Sequence, residues 1–377
     1  MRAFVFTDKS LERQAGRFVW LALDIENEKN ASLESKLTIE GVPTLFVVDP
    51  RRETVLRRVL GSATAVQLNA LLDEAYASWK GGAAQSAYAK AEQLFGAGQD
   101  KEAAALYEEA LAQAPSGWPL FARSADALVQ ALSGSGQRAL CVAAARRLLP
   151  GVGASPVRAN LAAGGLDCAL GLDKADPERK AAVAEFESLA RDVLADATLP
   201  LAADDRSGLY GSLVGARDDE GDKEGARRVA AEWAAYLEGE AVKATTPDER
   251  AVFDSHRLSA YLAMGAPERA VPMLQASERE HPRDYNPPAR LAVAYKELHR
   301  WDEALAASDR ALNLAYGPRK VRIYITRAEV DAARGNAAAA RRDLEDALAF
   351  AQTLPAGPPR DATEKMLRER LAKQPPA

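Results

Sequence analysis

From about Gln85 onward one punctuation recurs: a turn with glycine and a polar residue, then alanine, a larger apolar residue, another small residue and often proline. Gly98-Gln99-Asp100-Lys101-Glu102-Ala103 leads to Tyr107, Ala110 and Pro115. Gly221-Asp222-Lys223-Glu224-Gly225-Ala226 leads to Ala230 and Trp233. Gly265-Ala266-Pro267-Glu268-Arg269-Ala270 leads to Leu274, Ser277 and Pro282. Trp301-Asp302-Glu303-Ala304 leads to Ser308 and Ala311, and Leu291, Ala292 and Tyr295 precede it. Gly335-Asn336 leads to Ala340, Leu344 and Ala347. Ala270 and Ala304 lie 34 residues apart, and Ala304 and Ala340 lie 36 apart. Small residues at such spacing let two helices close up where they cross, with the larger residue filling the groove beside them. One helix pair cannot bury its apolar stripe alone, so three or more must stack.

These residues resemble the tetratricopeptide repeat, a 34-residue helix pair. Four or five copies are recognisable. Gly134-Ser135-Gly136 to Pro150 and Pro177 to Leu194 read as degenerate copies, the second followed by a long loop over 195–207. The resemblance implies an α-helical solenoid over 84–355 whose concave face binds a peptide or protein partner. Inward-facing Tyr88, Tyr261, Tyr295 and Tyr324 are candidates there, with packing the stronger role for Tyr295. Trp118, Trp233 and Trp301 fall at repeat positions and read as core anchors. Asp361-Ala362-Thr363-Glu364 reads as a capping box opening a terminal helix in 356–377, with Pro358-Pro359 closing the solenoid before it.

Composition agrees with helices, since alanine, the best helix former, is abundant. A formal charge of −5 argues against nucleic acid as the partner. No run approaches the roughly 20 apolar residues of a membrane span. Met1-Arg2-Ala3-Phe4-Val5-Phe6 lacks a signal peptide's apolar core. At 377 residues two or more domains are expected.

Residues 1–78 read differently. Phe18 to Ile25 is a continuous apolar run of the buried-strand kind, Asn30 to Leu37 reads as a helix capped by Asn30 or Ser32, and Leu45 to Val48 is a second buried strand. Asp49-Pro50-Arg51-Arg52 is a turn, Thr54 to Leu60 returns antiparallel, and Ser62 to Ala77 is an amphipathic helix presenting Val66, Leu68, Leu71, Leu72 and Ala75. With Gly41-Val42-Pro43-Thr44 between helix and strand, this order resembles the thioredoxin fold from its second helix onward, over about a fifth of the chain. The resemblance implies a cis Val42–Pro43 bond. It also implies a peptide-pairing edge at Val42, Pro43 and Thr44.

The family's Cys-x-x-Cys dithiol is absent, and so is the strand preceding it, which lies between the two strands matched here. Buried backbone groups facing that gap would each cost about 1–3 kcal/mol, unless Phe18–Ile25 and Leu45–Val48 pair directly. Met1 and Phe6-Thr7-Asp8 fit the spacing of one thioredoxin-like branch, in which the methionine lies inside the redox helix. The expectation is a longer protein with the dithiol upstream of Met1.

Cys141 and Cys168 lie in alanine-rich helical stretches and are expected as buried, inert thiols. A bond between them would require Cα atoms within about 7 Å. His256, His281 and His299 lack metal-ligand spacing, and Asp218-Asp219-Glu220-Gly221-Asp222 lacks calcium-loop order. No catalytic residue, metal or other cofactor is expected. Arg51-Arg52, Arg57-Arg58 and Arg341-Arg342 read as solvated faces. The fold class expected is therefore α/β then all-α: a partial thioredoxin-like domain followed by a tetratricopeptide solenoid. The function expected is a non-catalytic protein-interaction module. The alternatives are a thiol–disulfide oxidoreductase of cell redox homeostasis whose dithiol segment is missing, and a purely structural array.

Overall fold

A computed structural model describes residues 5–25, 27–30, 37, 39, 42–80, 87–114, 116–356 and 358–373. They fall into two compact units, Met1–Trp20 with Leu37–Trp233 and Leu21–Lys36 with Ala234–Ala377.

The first unit opens with a 3-10 helix, Lys9–Gln14, capped by Asp8, whose carboxylate accepts from the Ser10 amide. Strands β1 (Thr44–Asp49) and β2 (Thr54–Leu60) pair antiparallel, from Thr44 opposite Leu60 to Asp49 opposite Thr54, with a register shift at Val47/Val48. Helix α1 (Ala65–Lys80) follows. Its start is a capping box: the Thr64 hydroxyl accepts from the Gln67 amide, and Gln67 Oε1 accepts from the Thr64 amide. Val5, Ala63, Leu68 and Leu72 form a small core with Leu45 and Val47. Val66, expected inside, is 78% exposed, because the stripe on α1 is narrower than its apolar content suggests.

The hairpin and α1 stand as the sequence implies, but Phe18–Ile25 forms no strand. Val19 is 86% and Leu21 74% exposed, and neither this run nor a third strand pairs with β1 among the described residues. An extended run becomes a strand only beside an edge that can take its hydrogen bonds, and among the described residues no strand pairs with this run. The helix expected over 30–37 lies mostly outside the described residues. The Val42–Pro43 bond is cis.

Helices then follow in antiparallel pairs. In the first unit these are α2 (Ala87–Gly96) with α3 (Asp100–Ala112), α4 (Phe121–Gly134) with α5 (Arg138–Val152), and α6 (Val157–Leu170) with α7 (Arg179–Ala195). Helix α8 (Ala203–Asp219) precedes α9 (Lys223–Lys243), and Trp233 Nε1 donates to Ser207 Oγ at 2.7 Å. The two stretches read as degenerate are the second helices, α5 and α7, of complete pairs, and the loop before α8 ends at Ala202. In the second unit a short helix α10 (Pro247–Ala251) precedes α11 (Asp254–Met264) with α12 (Ala270–Glu280), α13 (Asn286–Glu297) with α14 (Trp301–Leu314), and α15 (Arg319–Ala333) with α16 (Ala337–Ala351). Helix α17 (Pro358–Ala372) packs on α16. It starts on its prolines, so Asp361 lies inside the first turn and is not the cap.

The repeat positions are core positions: Ala103, Ala226, Ala270, Ala304 and Ala340 are all buried, as are Tyr107, Ala230, Leu274, Ser308 and Leu344. First helices of neighbouring pairs pack on one another, α4 on α6 and α6 on α8, and likewise α11 on α13 and α13 on α15. Second helices are joined instead by long surface ion pairs, Arg147–Glu108, Arg146–Glu185 and Arg310–Glu278, each 2.7 Å. Tight first helices and splayed second helices make the first helices the inner layer of each unit.

Two expectations fail here. Arg57 and Arg58 are 4% and 1% exposed, not solvated, because helices α2 to α4 cover β2 and supply a carboxylate to each, Glu92 to Arg57 and Asp100 to Arg58. Cys141 and Cys168 are joined in a disulfide with Cα atoms 6.1 Å apart, so they are not free thiols.

Candidate functional site

The inner layer of the first unit gathers acidic and amide groups. Asp126 on α4 accepts from Asn160 Nδ2 of α6 at 3.0 Å and from Gln130 Nε2 at 2.9 Å. Burial pushes its carboxyl up, against those two hydrogen bonds and the charge of Arg123. On α8, Asp205 is pushed up to about 6, chiefly by burial, with the charges of Asp204 and Asp126 adding to it. Asp204 itself accepts from Ser62 Oγ at 2.6 Å. Farther along α6, Asp167 opens to solvent, yet the protein packed around its carboxyl raises it, against a hydrogen bond from Ser212 of α8. The wall is negative, partly desolvated, and laid across three consecutive inner helices.

Asp205 yields a pH-dependent prediction. Its protonated form stabilises the fold fully below the ordinary value of 3.8, and that contribution is lost as pH rises through about 6. Asp205→Asn is expected to stabilise the first unit by about 1–3 kcal/mol at neutral pH and hardly at all near the ordinary carboxylate value. Urea midpoints measured at both pH values check this. A variant no more stable at neutral pH would mean that the charge is already compensated.

The second unit differs. His281, Arg283, Asp284, Tyr285 and Tyr316, with Asp24, line an open depression of about 570 Å³. Tyr316 donates to Asp24 Oδ2 at 2.6 Å and meets the Tyr285 ring edge-on, centroids 6.2 Å apart. On α13, burial lowers the Arg290 guanidinium against the opposing charges of Asp254 and Asp284.

The tyrosines proposed as ligand contacts are packing residues. Tyr88, Tyr261 and Tyr295 are 5%, 1% and 5% exposed, and Tyr324 packs against the clusters around Leu344 and Ile323. Three of these phenols meet a polar partner: Tyr88 accepts from Arg123 Nε at 3.2 Å, Tyr261 donates to Glu238 at 2.6 Å, and Tyr295 accepts from Gln275 at 2.9 Å. Trp233 is buried; Trp118 is half-buried and meets Tyr88 edge-on. Val42, Pro43 and Thr44 lie together at the start of β1. Val42 is 59% exposed, Pro43 O accepts from the Gly61 amide at 2.9 Å, and Thr44 is paired opposite Leu60. The acidic wall was not singled out in the sequence. Its signal was a polar residue directly beside a small buried one, Asp126 between Ala125 and Ala127 and Asn160 after Ala159. Among the described residues no group of three His, Cys, Asp or Glu side chains could hold a metal, and no helix is long and apolar enough to cross a membrane.

No family model matches the chain, and no curated protein is similar to it. Solved structures that resemble it include a tetratricopeptide repeat protein from Parabacteroides merdae, at 12% identity and TM-score 0.47 over 75% of this chain and 97% of that one. Another is the TPR2AB domain of yeast Sti1 in complex with pHSP90, at 15% identity and TM-score 0.27 over 78% and 98%. A third is yeast Tom70, at 11% identity and TM-score 0.17 over 81% and 92%. At such scores none of them bears on a site or partner of this chain. Its description as an array of helix pairs rests on the packing of those pairs and on their buried small residues.

Proposed function

We propose that this chain is a non-catalytic protein-interaction module whose inner helical layer takes an extended peptide or protein segment. The observation that carries the reading is the wall of Asp126, Asn160, Asp167 and Asp205 on α4, α6 and α8. Partly desolvated carboxylates favour a partner that returns positive charge, so a segment bearing lysine or arginine is the complement. Both cysteines of the chain are tied in one buried bond and supply no thiolate for exchange chemistry.

A second reading puts a peptide against β1 at Val42, Pro43 and Thr44. It is favoured by the exposure of Val42 and by β1 having a strand neighbour on one edge only among the described residues. In it the first 78 residues are part of a thioredoxin-like domain. A thiol–disulfide oxidoreductase would follow if a dithiol were supplied from outside these residues.

Calorimetry with a lysine- and arginine-rich 15-residue peptide, in low salt, separates the readings. The wall reading expects Asp126→Lys with Asp205→Lys to weaken binding about 10-fold or more, like-charge contacts costing at least about 1.4 kcal/mol. Val42→Asp should leave it unchanged. The reverse pattern would move the site to β1, and no binding by any form would leave a structural array.

A further inference from the structure

The two cysteines replace packing residues of the repeat. Cys141 is the fourth residue of α5, the place held by Ala103 in α3, Ala182 in α7, Ala304 in α14 and Ala340 in α16. Cys168 lies two residues before the end of α6, where Leu132 stands in α4 and Tyr295 in α13. A cysteine fits the alanine position with little change. At the leucine or tyrosine position it is far too small to fill the crossing. What joins the helices there is the covalent bond, closed across 27 residues of sequence. Both cysteines are fully buried. The Cys141 sulfur lies 3.7 Å from Val129 O and 3.8 Å from Gly164 O, and Arg138 Nη1 is 3.9 Å from the Cys168 sulfur.

We propose that Cys141–Cys168 is a structural disulfide that places the working protein in an oxidising compartment and acts as a redox-sensitive lock on α6. To form it, the two thiols lose two electrons and two protons to a disulfide oxidant, which leaves as a dithiol. A dithiol reductant reverses this: its thiolate attacks one sulfur, the S–S bond breaks, and the departing cysteine thiolate takes a proton. The reagent's second thiol then closes its own disulfide and frees the other cysteine. A glutathione-buffered cytosol would hold the pair reduced, and an exported location would keep it closed. Burial protects the bond, so reduction requires local opening of α5 and α6. Helix α6 also carries Asn160 and Asp167, so loosening it disturbs the acidic wall. That last link rests on the binding reading, whereas the bond and the compartment do not.

The test uses the protein taken from its native cells, quenched in acid, alkylated in denaturant with N-ethylmaleimide and digested, with the peptides bearing Cys141 and Cys168 weighed. No adduct on either cysteine before reduction and one on each after it are expected. Adducts on both without reduction would overturn the compartment assignment. On purified oxidised protein, dithiothreitol is expected to lower the melting temperature by about 10 °C, the closed loop being of intermediate length. Cys141→Ala with Cys168→Leu restores the repeat's ordinary residues without the bond. That variant should fold and melt at the same temperature with and without dithiothreitol. An unchanged melting temperature of the oxidised protein on full reduction would overturn the lock.

Discussion

Replacing Glu92 by alanine is expected to destabilise the first unit by about 3–5 kcal/mol, the cost of leaving buried cations without their partner. Glu92, on α2, is 1% exposed. Its carboxylate accepts from the Tyr107 hydroxyl of α3 at 2.7 Å and from Arg123 Nη2 of α4 at 2.7 Å, with Arg57 Nε of β2 at 3.7 Å. Burial works against the Arg123 cation, yet the Glu92 charge and its hydrogen bond hold its pKa well above the usual guanidinium value. Burial, with Glu92 second, likewise raises the Tyr88 and Tyr107 phenols. Arg58 donates to Phe95 O at 2.9 Å and lies 3.6 Å from Asp100. One carboxylate thus ties the hairpin to the first helix pairs. Without it, Arg57 and Arg123 keep only the charge of the half-buried Glu74 nearby. Glu92→Leu combined with Arg57→Leu and Arg123→Leu is expected to cost less than Glu92→Ala alone, since both buried cations leave with their partner and only the half-buried Glu74 loses their charge. Denaturant unfolding of the three forms checks this. A loss below about 1 kcal/mol for Glu92→Ala would mean that the arginines reach water at little cost.

Glu92 shows why some of this molecule was legible in sequence and some was not. Helix pairs were readable because small residues recur at a fixed spacing, and only helix crossings require that. The β1–β2 hairpin was readable from two apolar runs around Asp49-Pro50. Phe18–Ile25 misled, because a run of apolar residues states a preference for burial and says nothing of whether a neighbouring edge exists. Arg57 and Arg58 misled for the opposite reason. Adjacent strand residues point to opposite faces, so both can be buried only when both faces are covered. The one hint was Glu92 itself, which shares a helical stripe with Tyr88 and Phe95 where an apolar residue was due. The disulfide could have been suspected from register, since Cys141 and Cys168 stand at two packing positions of consecutive helices. The acidic wall depends on which helices form the inner layer, and that follows from stacking between pairs, which no single repeat encodes.

Gly165→Leu is expected to cost more than 3 kcal/mol, beyond the usual range of about 1–3 kcal/mol for overpacking, because α6 has nowhere to move. A Cβ at Gly165 would clash with the edge of the Phe186 ring of α7, at Cε1, Cδ1 and Cζ. Retreat from that ring drives α6 toward α4, where a Cβ at Gly164 would already stand 2.8 Å from Val129 Cγ1. The Cys141–Cys168 bond fixes α6 against α5 as well. Gly165→Ala isolates the clash. Alanine gains about 1 kcal/mol over glycine in helix propensity, yet a net loss of about 1–3 kcal/mol is expected. Phe186 is 1% exposed, and Phe186→Ala alone should cost about 3–5 kcal/mol through the cavity it leaves. Together the two alanines should cost less than their sum, because the methyl group enters the space the ring vacates. A double-mutant cycle with a coupling of about 1 kcal/mol or more would locate the constraint at this crossing. Strict additivity would show that α6 yields elsewhere. In that case the glycine pair is tolerated in the repeat, not required by it.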